Sequence, residues 1–291
     1  MSEEIDDLAS WVTVGISTKD RWPDLEATLR RLVAAGFGRL LLQVIDDGSR
    51  TPCPFALDFW PGPFNLQRFD RPAGLVVRRN QLAKNARTKY LLSLDDDSYP
   101  AEGSLARAVA FAEGQPDLLC LGFTVYNPAR NAYESPATGP DPYPVRAFIG
   151  CGHLMNLPHF LGLGGYREEI IHQGEEPELA ARGWTRGWRC FHFPGLTIHH
   201  TASSQGRNWA RMDYYGSRNA FWWNAWFVPA PLLPWQQART FAGRVLLFLR
   251  LRRPALAKGI LDGLLLARRY RRFRHPFTAG QFQLWRRLPP H

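Results

Sequence analysis

The sequence of 291 residues has few cysteines and no long apolar run. Its four cysteines are far apart and none forms a C-x-x-C pair, which argues against a structural zinc site and a disulfide scaffold and fits a reducing compartment. The first seven residues are acidic and polar, unlike a secretory signal peptide. Because no apolar run approaches the ~18–20 residues needed to cross a bilayer, we do not expect a transmembrane helix.

The overall composition is that of a globular protein with an excess of positive charge. Hydrophobic residues make up 45% of the chain and charged residues 21%, and the length suits one large α/β domain or one domain with an appendage. The net charge of +10 indicates an anionic partner, which could be a nucleic acid, a nucleotide or the surface of an anionic membrane.

Apolar segments of strand composition alternate with helical patterns along the chain. Strands are predicted at residues 11–17, 40–45, 65–69, 91–94, 118–125 and 148–155, with two further pieces at 188–192 and 196–200. Helices are predicted at 23–35, 73–85 and 104–113, and a short helix at 175–183. Residues 126–145 are rich in Pro, Asn and Gly and are predicted to form a long loop. This alternation predicts an α/β fold with a doubly wound, mostly parallel sheet.

Three consecutive acids, Asp95, Asp96 and Asp97, follow the apolar strand at 91–94. Adjacent carboxylates repel one another and are costly to bury unless a cation lies among them. Hard divalent cations that carry substrate phosphates bind proteins through one or two such carboxylates. Taken alone, however, the triplet is more simply explained as a solvated acidic turn.

Four more polar clusters accompany the acids, at residues 17–21, 46–47, 175–178 and 199–200. The first two follow predicted strands directly. Ligands of open parallel α/β sheets bind at the carboxyl ends of the strands. One order of strands would bring all five clusters to a single edge of the sheet.

In their order and spacing, these clusters resemble the motifs of the inverting family 2 glycosyltransferases of the GT-A fold, in particular a cell-envelope, rhamnosyltransferase-like group. The resemblance extends over roughly residues 11–227. The matching pieces are Ser17-Thr18-Lys19-Asp20-Arg21, Ile45-Asp46-Asp47-Gly48-Ser49, Arg79-Asn80, Asp95-Asp96-Asp97, Gly164-Gly165-Tyr166, Gly174-Glu175-Glu176-Pro177-Glu178-Leu179, and His199 with Ser203. Each piece alone is weak, whereas the order and spacing together are specific. The resemblance implies a Rossmann-like GT-A catalytic domain.

The resemblance implies a binding site for a UDP-, dTDP- or GDP-sugar. Asp47 matches the acid that receives the ring N–H of the nucleotide base, for which a carboxylate is a good acceptor. Arginine is a good partner for the diphosphate. The other residues assigned to the nucleotide-sugar site are Ser17, Thr18, Arg21, Arg79, Asn80, Asp95 and Asp96, of which Asp95 or Asp96 would meet the ribose or a metal-bound water.

The resemblance also implies a bound Mn²⁺ or Mg²⁺. Asp95 and Asp97 match the two acids of the DxD motif, and Asp97 would be the principal metal ligand. His199 matches the histidine that completes the metal site in many members, with His200 as the alternative. A nitrogen ligand is borderline for Mg²⁺ and easier for Mn²⁺.

Glu176 lies where the family usually has an Asp that acts as general base, and Glu175 is the alternative. An inverting transfer needs one carboxylate within hydrogen-bond reach of the acceptor hydroxyl. The extra methylene of Glu moves this carboxylate by about a bond length, and shifts of that size matter for catalysis. Glu178 also stands where the family commonly has Asp. These departures motivate a second hypothesis, a nucleotide-sugar or glycan binding protein that has lost catalysis.

The chain is expected to divide into a catalytic domain, residues 1–206, and a basic, Trp-rich helical region, residues 207–291. The nucleotide-binding half of the catalytic domain would cover about residues 11–125 and the acceptor half about 126–206.

The helical region is strongly basic. Residues 239–287 hold thirteen basic residues and one acid, Asp262. Its basic amphipathic pattern favours the interface of an anionic membrane, although ordinary helices that cover the catalytic domain would also show it. We therefore predict a cytoplasmic protein, peripheral on the inner face of the cytoplasmic membrane, with a glycan or lipid-linked acceptor. Nucleic acid is not expected as a partner, because the basic residues concentrate in amphipathic helices rather than along one groove with aromatic platforms.

Overall fold

A computed structural model describes residues 8–201, 208–267 and 269–291. Ser203 of the family resemblance, Arg268 and the acidic residues 1–7 lie outside this part of the chain. Within it, the strands are β1 (Val12–Thr18), β2 (Leu41–Asp46), β3 (Phe64–Arg68), β4 (Tyr90–Asp95), β5 (Ser98–Gly103), β6 (Leu118–Asn127), β7 (Ala132–Ser135), β8 (Tyr143–Val145), β9 (Gly152–Asn156) and β10 (Arg189–His200).

The α-helices in the same residues are α1 (Trp22–Ala34), α2 (Leu75–Asn85), α3 (Leu105–Glu113), α4 (Leu157–Gly162), α5 (Glu175–Thr185), α6 (Trp209–Phe227), α7 (Leu233–Leu251), α8 (Pro254–Leu266) and α9 (Ala279–Arg287). Short 3₁₀ turns occur at Phe37–Arg39, Glu168–Ile170, Ala230–Leu232 and Arg271–Phe273. The predicted helices of the first half of the chain are present to within two residues.

All ten strands of the described chain belong to one sheet, with the order β3-β2-β1-β4-β9-β6-β10-β5, β7 beside β6 and β8 beside β10. The run β3-β2-β1-β4 is parallel, and so is the pair β6–β10. Strands β9, β5, β7 and β8 are antiparallel to their neighbours. The doubly wound α/β class is confirmed, with antiparallel strands inserted into its second half.

Two buried clusters of apolar side chains cover the two faces of the sheet. Helices α1 and α3 pack on one face, and α2, α4, α5, α6 and α9 on the other. Strand β1 illustrates the alternation, because Val14 and Ile16 belong to the first cluster while Gly15 faces α2. A Cβ atom at Gly15 would lie 2.8 Å from Leu91 Cδ1 of the neighbouring strand β4 and 3.5 Å from Leu82 Cδ1 of α2. Glycine therefore leaves room for the Leu91 side chain beneath α2.

Three segments differ from the sequence-based expectations. The predicted loop at 126–145 contains β7 and β8, because both pair with long central strands. The predicted strand at 148–155 begins only at Gly152. The two pieces at 188–192 and 196–200 are one strand, β10, whose register with β6 shifts between Phe193 and Thr197. Such a bulge inserts unpaired residues, and this is why the apolar pattern looked broken.

The C-terminal helices differ in how they pack. Trp222 and Trp226 of α6 and Trp285 of α9 are buried in the second apolar cluster. Helix α7, in contrast, has no buried residue along its 19 positions. Among the described residues, no helix is long and apolar enough to cross a membrane.

Candidate active site

The ends of three neighbouring parallel strands bring the first polar clusters together. The strand register places Ser17 beside Asp95 and Thr18 beside Asp46. At the far side, the antiparallel pairing of β10 with β5 places His200 opposite Ser98. These ends border a cleft of about 920 Å³, which is also lined by the N-terminus of α5 and the start of α6.

Asp95, Asp97 and His200 form a cluster at this cleft, with one potential ligand atom of each within 4.8 Å of the others. His200 Nε2 lies 3.4 Å from Asp97 Oδ1, and His200 Nδ1 lies 2.8 Å from Glu134 Oε2. A carboxylate on the second ring nitrogen fixes the orientation of a metal-binding histidine. Two carboxylates and an oriented imidazole make a donor set that fits Mn²⁺, and less readily Mg²⁺.

The protonation states of this cluster depend on its own contacts. Burial alone would raise the pKa of Asp97, but the hydrogen bond with His200 and the charge of Arg21 hold it well below its usual range. Burial would likewise lower the pKa of His200, but hydrogen bonds with Asp97, Cys151 and Glu134 raise it to about 12.

The structure brings His200, and not His199, to the cluster. The His199 ring packs against Tyr99 and Tyr126, with ring centroids 5.6 and 5.3 Å away. Successive side chains of a strand point to opposite faces, so only one of the two histidines can reach the acids. His200, the alternative in the sequence, is the one that does.

Asp96 points away from the cluster and into the protein. Its carboxylate accepts a hydrogen bond of 2.7 Å from the Thr18 hydroxyl and lies 3.2 Å from Arg21 Nη2. Burial raises the pKa of Asp96 to about 7, and the neighbouring Arg21 opposes that rise. Thr18 and Arg21 therefore support the acidic turn, and Arg21 contacts Asp97 as well, at 2.6 Å.

Arg79 links the acidic cluster to the two candidate bases. Its Nη2 donates to Asp95 Oδ1 and to the Gly150 carbonyl, both at 2.8 Å, and its Nη1 lies 3.3 Å from Glu176 Oε1. Burial would lower the pKa of Arg79, but the surrounding carboxylates hold it above its ordinary value. A Cβ atom at Gly150 would lie 2.2 Å from Glu176 Oε1, so only glycine leaves room for this contact.

Glu175 and Glu176 begin α5 and both line the cleft. Glu175 is almost completely buried, and its Oε2 has no hydrogen-bond partner among the described residues. The Glu176 side chain is 16% exposed. Burial, together with the neighbouring Glu175, raises the pKa of Glu176 to about 8. A carboxyl group with such a pKa can take up a proton near neutral pH.

Asp47 lies at the cleft but is engaged by its own chain. Its carboxylate accepts from the backbone N–H groups of Ala73 and Gly74 and from Arg78 Nε, at 2.7, 2.8 and 2.6 Å. Gly74 caps α2 with a φ of 99°, which favours glycine. Asp47 thus anchors the start of α2, and its role toward a nucleotide base stays a prediction.

Asn80 is not brought to the cleft. Its amide donates to the Tyr166 carbonyl and accepts from the Tyr166 N–H, at 2.9 and 2.8 Å. Glu178 also faces the interior, where Arg182 Nε and Nη2 donate to its two oxygens at 2.7 and 2.9 Å. Both residues hold the glycine-rich turn at 162–166 against the helices.

Several cleft residues were not anticipated from the sequence. Glu134 orients His200 from the segment predicted to be a loop, and Arg211 and Lys19 add positive charge to the cleft wall. Only Lys19 stood inside a quoted motif. Arg211 lies in the first turn of α6, where the side chain of the capping residue Asn208 accepts from the Arg211 N–H at 2.9 Å. This capping pattern marks the start of the helix but does not predict a cation in the cleft.

A strained segment precedes the two glutamates. Ile171 has a φ of 66° and Gln173 a φ of 62°, and a positive φ is unusual for a β-branched residue such as isoleucine. The Asn219 amide of α6 donates to the carbonyls of Ile170, His172 and Gln173, at 3.1, 2.8 and 2.7 Å. One buried side chain therefore stabilises this conformation and sets where α5 begins.

A doubly wound sheet with charged side chains gathered at the carboxyl ends of its strands is the arrangement in which α/β proteins bind nucleotides. The sequence pattern of glycosyl transferase family 2 matches residues 13–165, slightly more than half of the chain. The chain therefore belongs to glycosyl transferase family 2. A comparison with curated proteins gives no match.

Solved glycosyltransferase structures share the fold. The chain is similar to GalNAc-T7 with UDP, GalNAc and Mn²⁺, with a TM-score of 0.58, 18% identity, and coverage of 70% of this chain and 46% of that one. It is also similar to mannosyltransferase PcManGT from Pyrobaculum calidifontis in complex with GDP-Man and Mn²⁺, with a TM-score of 0.58, 18% identity, and coverage of 94% of this chain and 77% of that one. For S. aureus TarS the TM-score is 0.55 and the identity 14%, and the match covers 90% of this chain and 55% of that one. The chain thus spans less than half the length of GalNAc-T7, and these identities establish similarity of fold.

We expect Asn219→Ala to lower turnover as well as stability. The variant removes the Asn219 donor from the partly buried carbonyls of His172 and Gln173, whereas the Ile170 carbonyl keeps Arg218. We expect a cost of about 1–3 kcal/mol and a relaxation of the segment before Glu175. Asn224→Ala is the matched control, because Asn224 is equally buried on the same helix but donates to Thr240 of α7, at 2.8 Å. Denaturant unfolding should show a loss in both variants, and kcat should fall only in Asn219→Ala. Equal effects on kcat would contradict this role.

Proposed function

We propose that the protein transfers a sugar, with inversion, from a nucleotide-diphosphate donor to a hydroxyl of a glycan or lipid-linked acceptor, and that it needs Mn²⁺ or Mg²⁺. The observation that carries the proposal is the cluster of Asp95, Asp97 and His200 in the same cleft as Glu176. In two of the similar structures a nucleotide or nucleotide sugar is present together with Mn²⁺. The cell-envelope setting suggested by the motifs belongs to the same proposal.

The cluster would hold the cation through Asp97, Asp95 and His200. When bound, the cation supplies positive charge for the departing diphosphate. Arg21 and Arg79 hold Asp97 and Asp95 by charge-assisted hydrogen bonds, so that the carboxylates are oriented before the cation arrives. Lys19 and Arg211 of the cleft wall offer further charge to phosphate oxygens.

Glu176 would take the proton from the attacking hydroxyl. Its carboxyl group lies at the wall of the cleft and shares Arg79 with Asp95, which places the proton acceptor and the metal cluster on two sides of one guanidinium. Inversion follows from a single displacement in which the hydroxyl attacks opposite the leaving diphosphate. Glu175 is the alternative base, but it is the more buried of the two.

The acceptor would be presented at an anionic membrane surface. Helix α7 carries exposed Trp235, Leu246 and Leu249, at 70%, 68% and 61%, interspersed with Arg239 and Arg250, and it contains no acid. On α8, Leu261 and Leu265 are exposed as well. Apolar side chains bordered by arginines suit the boundary between anionic headgroups and acyl chains.

Asp97→Ala is expected to abolish transfer and the Mn²⁺-dependent part of donor binding without unfolding the protein. The carboxylate contributes a ligand that no neighbour can replace. A thermal-shift screen of UDP-, dTDP- and GDP-sugars with Mn²⁺ identifies the donor, and calorimetry then compares the variant with the unaltered protein. Arg107→Ala, an exposed change on α3, serves as the control. Transfer by Asp97→Ala at the original rate would refute the proposal.

Glu176→Gln should lose about 10²–10⁴-fold in turnover while donor binding is kept, because the amide cannot accept the proton. In the unaltered enzyme, kcat/KM should rise with pH to a plateau, because only the deprotonated form of Glu176 is a base. The midpoint of this rise should lie above the ordinary pKa of glutamate and no higher than about 8, since burial raises the pKa of Glu176. Glu175→Gln is the paired variant. A midpoint at the ordinary pKa of glutamate, or full activity of Glu176→Gln, would contradict the assignment.

The double variant Trp235→Ala/Leu246→Ala should bind anionic vesicles about tenfold or more weakly, because each side chain loses apolar burial in the interface. Cosedimentation with vesicles of phosphatidylglycerol and phosphatidylcholine measures this, at low and high salt. Phe64→Ala, an exposed apolar residue on the edge strand β3, is the control and should have no effect. If the double variant bound vesicles as tightly as Phe64→Ala, this would contradict the assigned surface. A dimer in solution that the double variant dissociates would contradict it as well.

A further inference from the structure

A second cavity, of about 1030 Å³, lies apart from the catalytic cleft. Its walls are the end of α2, the turn at 163–171, the end of α5 and the C-terminal segment 270–275. Within the described ranges, no residue lines both this cavity and the cleft. Neither the metal cluster nor the candidate bases contribute to it.

The cavity is strongly basic. Seven cationic side chains line it, against the two acids Glu168 and Glu169; the cations are Lys84, Arg167, Arg182, Arg186, Arg218, Arg272 and Arg274. Behind the wall, the buried Glu178 binds Arg182 and contacts Arg167. Glu169 contacts Arg272, at 3.0 Å. The positive charge therefore exceeds the negative charge even when all three acids are counted.

Neutral groups, rather than carboxylates, hold two of these arginines in place. Arg218 Nη2 donates to the carbonyls of Glu169 and Ile170, at 2.7 and 2.9 Å. Arg274 donates to the carbonyls of Ala225 and Val228. A carbonyl oxygen orients a guanidinium but leaves its charge uncompensated, and a concave wall concentrates the resulting field.

The pKa values of two buried arginines show that gathering these cations costs energy. Burial lowers the pKa of both Arg167 and Arg218, and in each case the nearby acids and phenols offset the effect only in part. Assembling like charges is unfavourable unless an anion joins them. The exposed Lys84 and Arg186 stand at the rim, where they can reach a ligand.

One wall of the cavity is aromatic. The rings of Tyr270 and Phe273 are parallel, with an interplanar angle of 6° and centroids 5.9 Å apart, and both are partly exposed. The guanidinium groups of Arg167 and Arg272 lie 4.2 and 4.7 Å from the centroid of the Phe273 ring, so the cations and the aromatic rings are side by side. This combination favours a ligand that has both an anionic group and a ring.

We propose that this cavity binds an anionic sugar, through phosphate or carboxylate oxygens on Arg218, Arg274 and the rim cations and through the sugar ring on Tyr270 and Phe273. Such a sugar can be free or part of a glycan. The site is separate from the transfer reaction, so its existence does not depend on the metal or on Glu176.

Calorimetry on the full chain tests the site with glucose 6-phosphate, inorganic phosphate and glucose as probes. We expect glucose 6-phosphate to bind most tightly, inorganic phosphate more weakly and glucose not at all. Arg186→Glu should weaken both phosphates on the order of tenfold, because a charge is reversed at the rim. The matched control Arg107→Glu, on the opposite face of the sheet, should have no effect.

Two further variants locate the probe. Tyr270→Ala should remove the preference for glucose 6-phosphate over inorganic phosphate and leave the affinity for phosphate unchanged. Asp97→Ala, which acts on the cleft, should leave binding intact, so that failure of the catalytic proposal is distinguishable from failure of this one. The proposal would be overturned if Asp97→Ala lost binding or if glucose bound as tightly as glucose 6-phosphate. It would also be overturned if Arg186→Glu and Arg107→Glu had equal effects, or if neither glucose 6-phosphate nor inorganic phosphate bound.

Discussion

The buried guanidinium of Arg79 is the contact on which the cleft depends. It joins the end of β4, through Asp95, to the start of α5, through Glu176, and to the turn at Gly150. Without a cation between them, Asp95 and the two glutamates would repel one another in a buried setting. Arg79 therefore allows the metal cluster and the candidate bases to share one cleft, and it does so from α2, which packs on the sheet.

The first half of the fold was predictable because it is built from parallel strands. Buried parallel strands have continuous apolar runs, and their carboxyl ends meet at one edge, so Asp47, Asp95 and Ser17 could be expected together. The second half was less predictable. Its antiparallel strands depend on pairing with strands distant in sequence, and β10 has a bulge that interrupts its pattern. The choice between His199 and His200 depends on the phase of that strand, which local sequence does not determine.

Motif matching was weaker for residues whose side chains bind other parts of the protein and not the cleft. Asn80 binds the backbone of Tyr166, and Glu178 binds Arg182, which in turn donates to the carbonyls of Leu163 and Gly165. Both serve the cleft indirectly, because they hold the turn against which α2 and α5 pack. Asn219 acts in the same way from α6, a helix outside the quoted motifs. Helix α6 belongs to the predicted helical region, yet it contributes both to the second apolar cluster and to the geometry before Glu175.

The charges of the cleft also explain why a basic protein can carry an acidic cluster. Arg21 and Arg79 each contact one carboxylate of the proposed metal site, and the His200 imidazole lies 3.4 Å from Asp97. A divalent cation would add positive charge to the cleft, whereas a nucleoside diphosphate group would bring negative charge of similar size. Each ligand would therefore offset the charge that the other adds. This electrostatic argument favours joint binding of cation and donor, with each raising the affinity for the other.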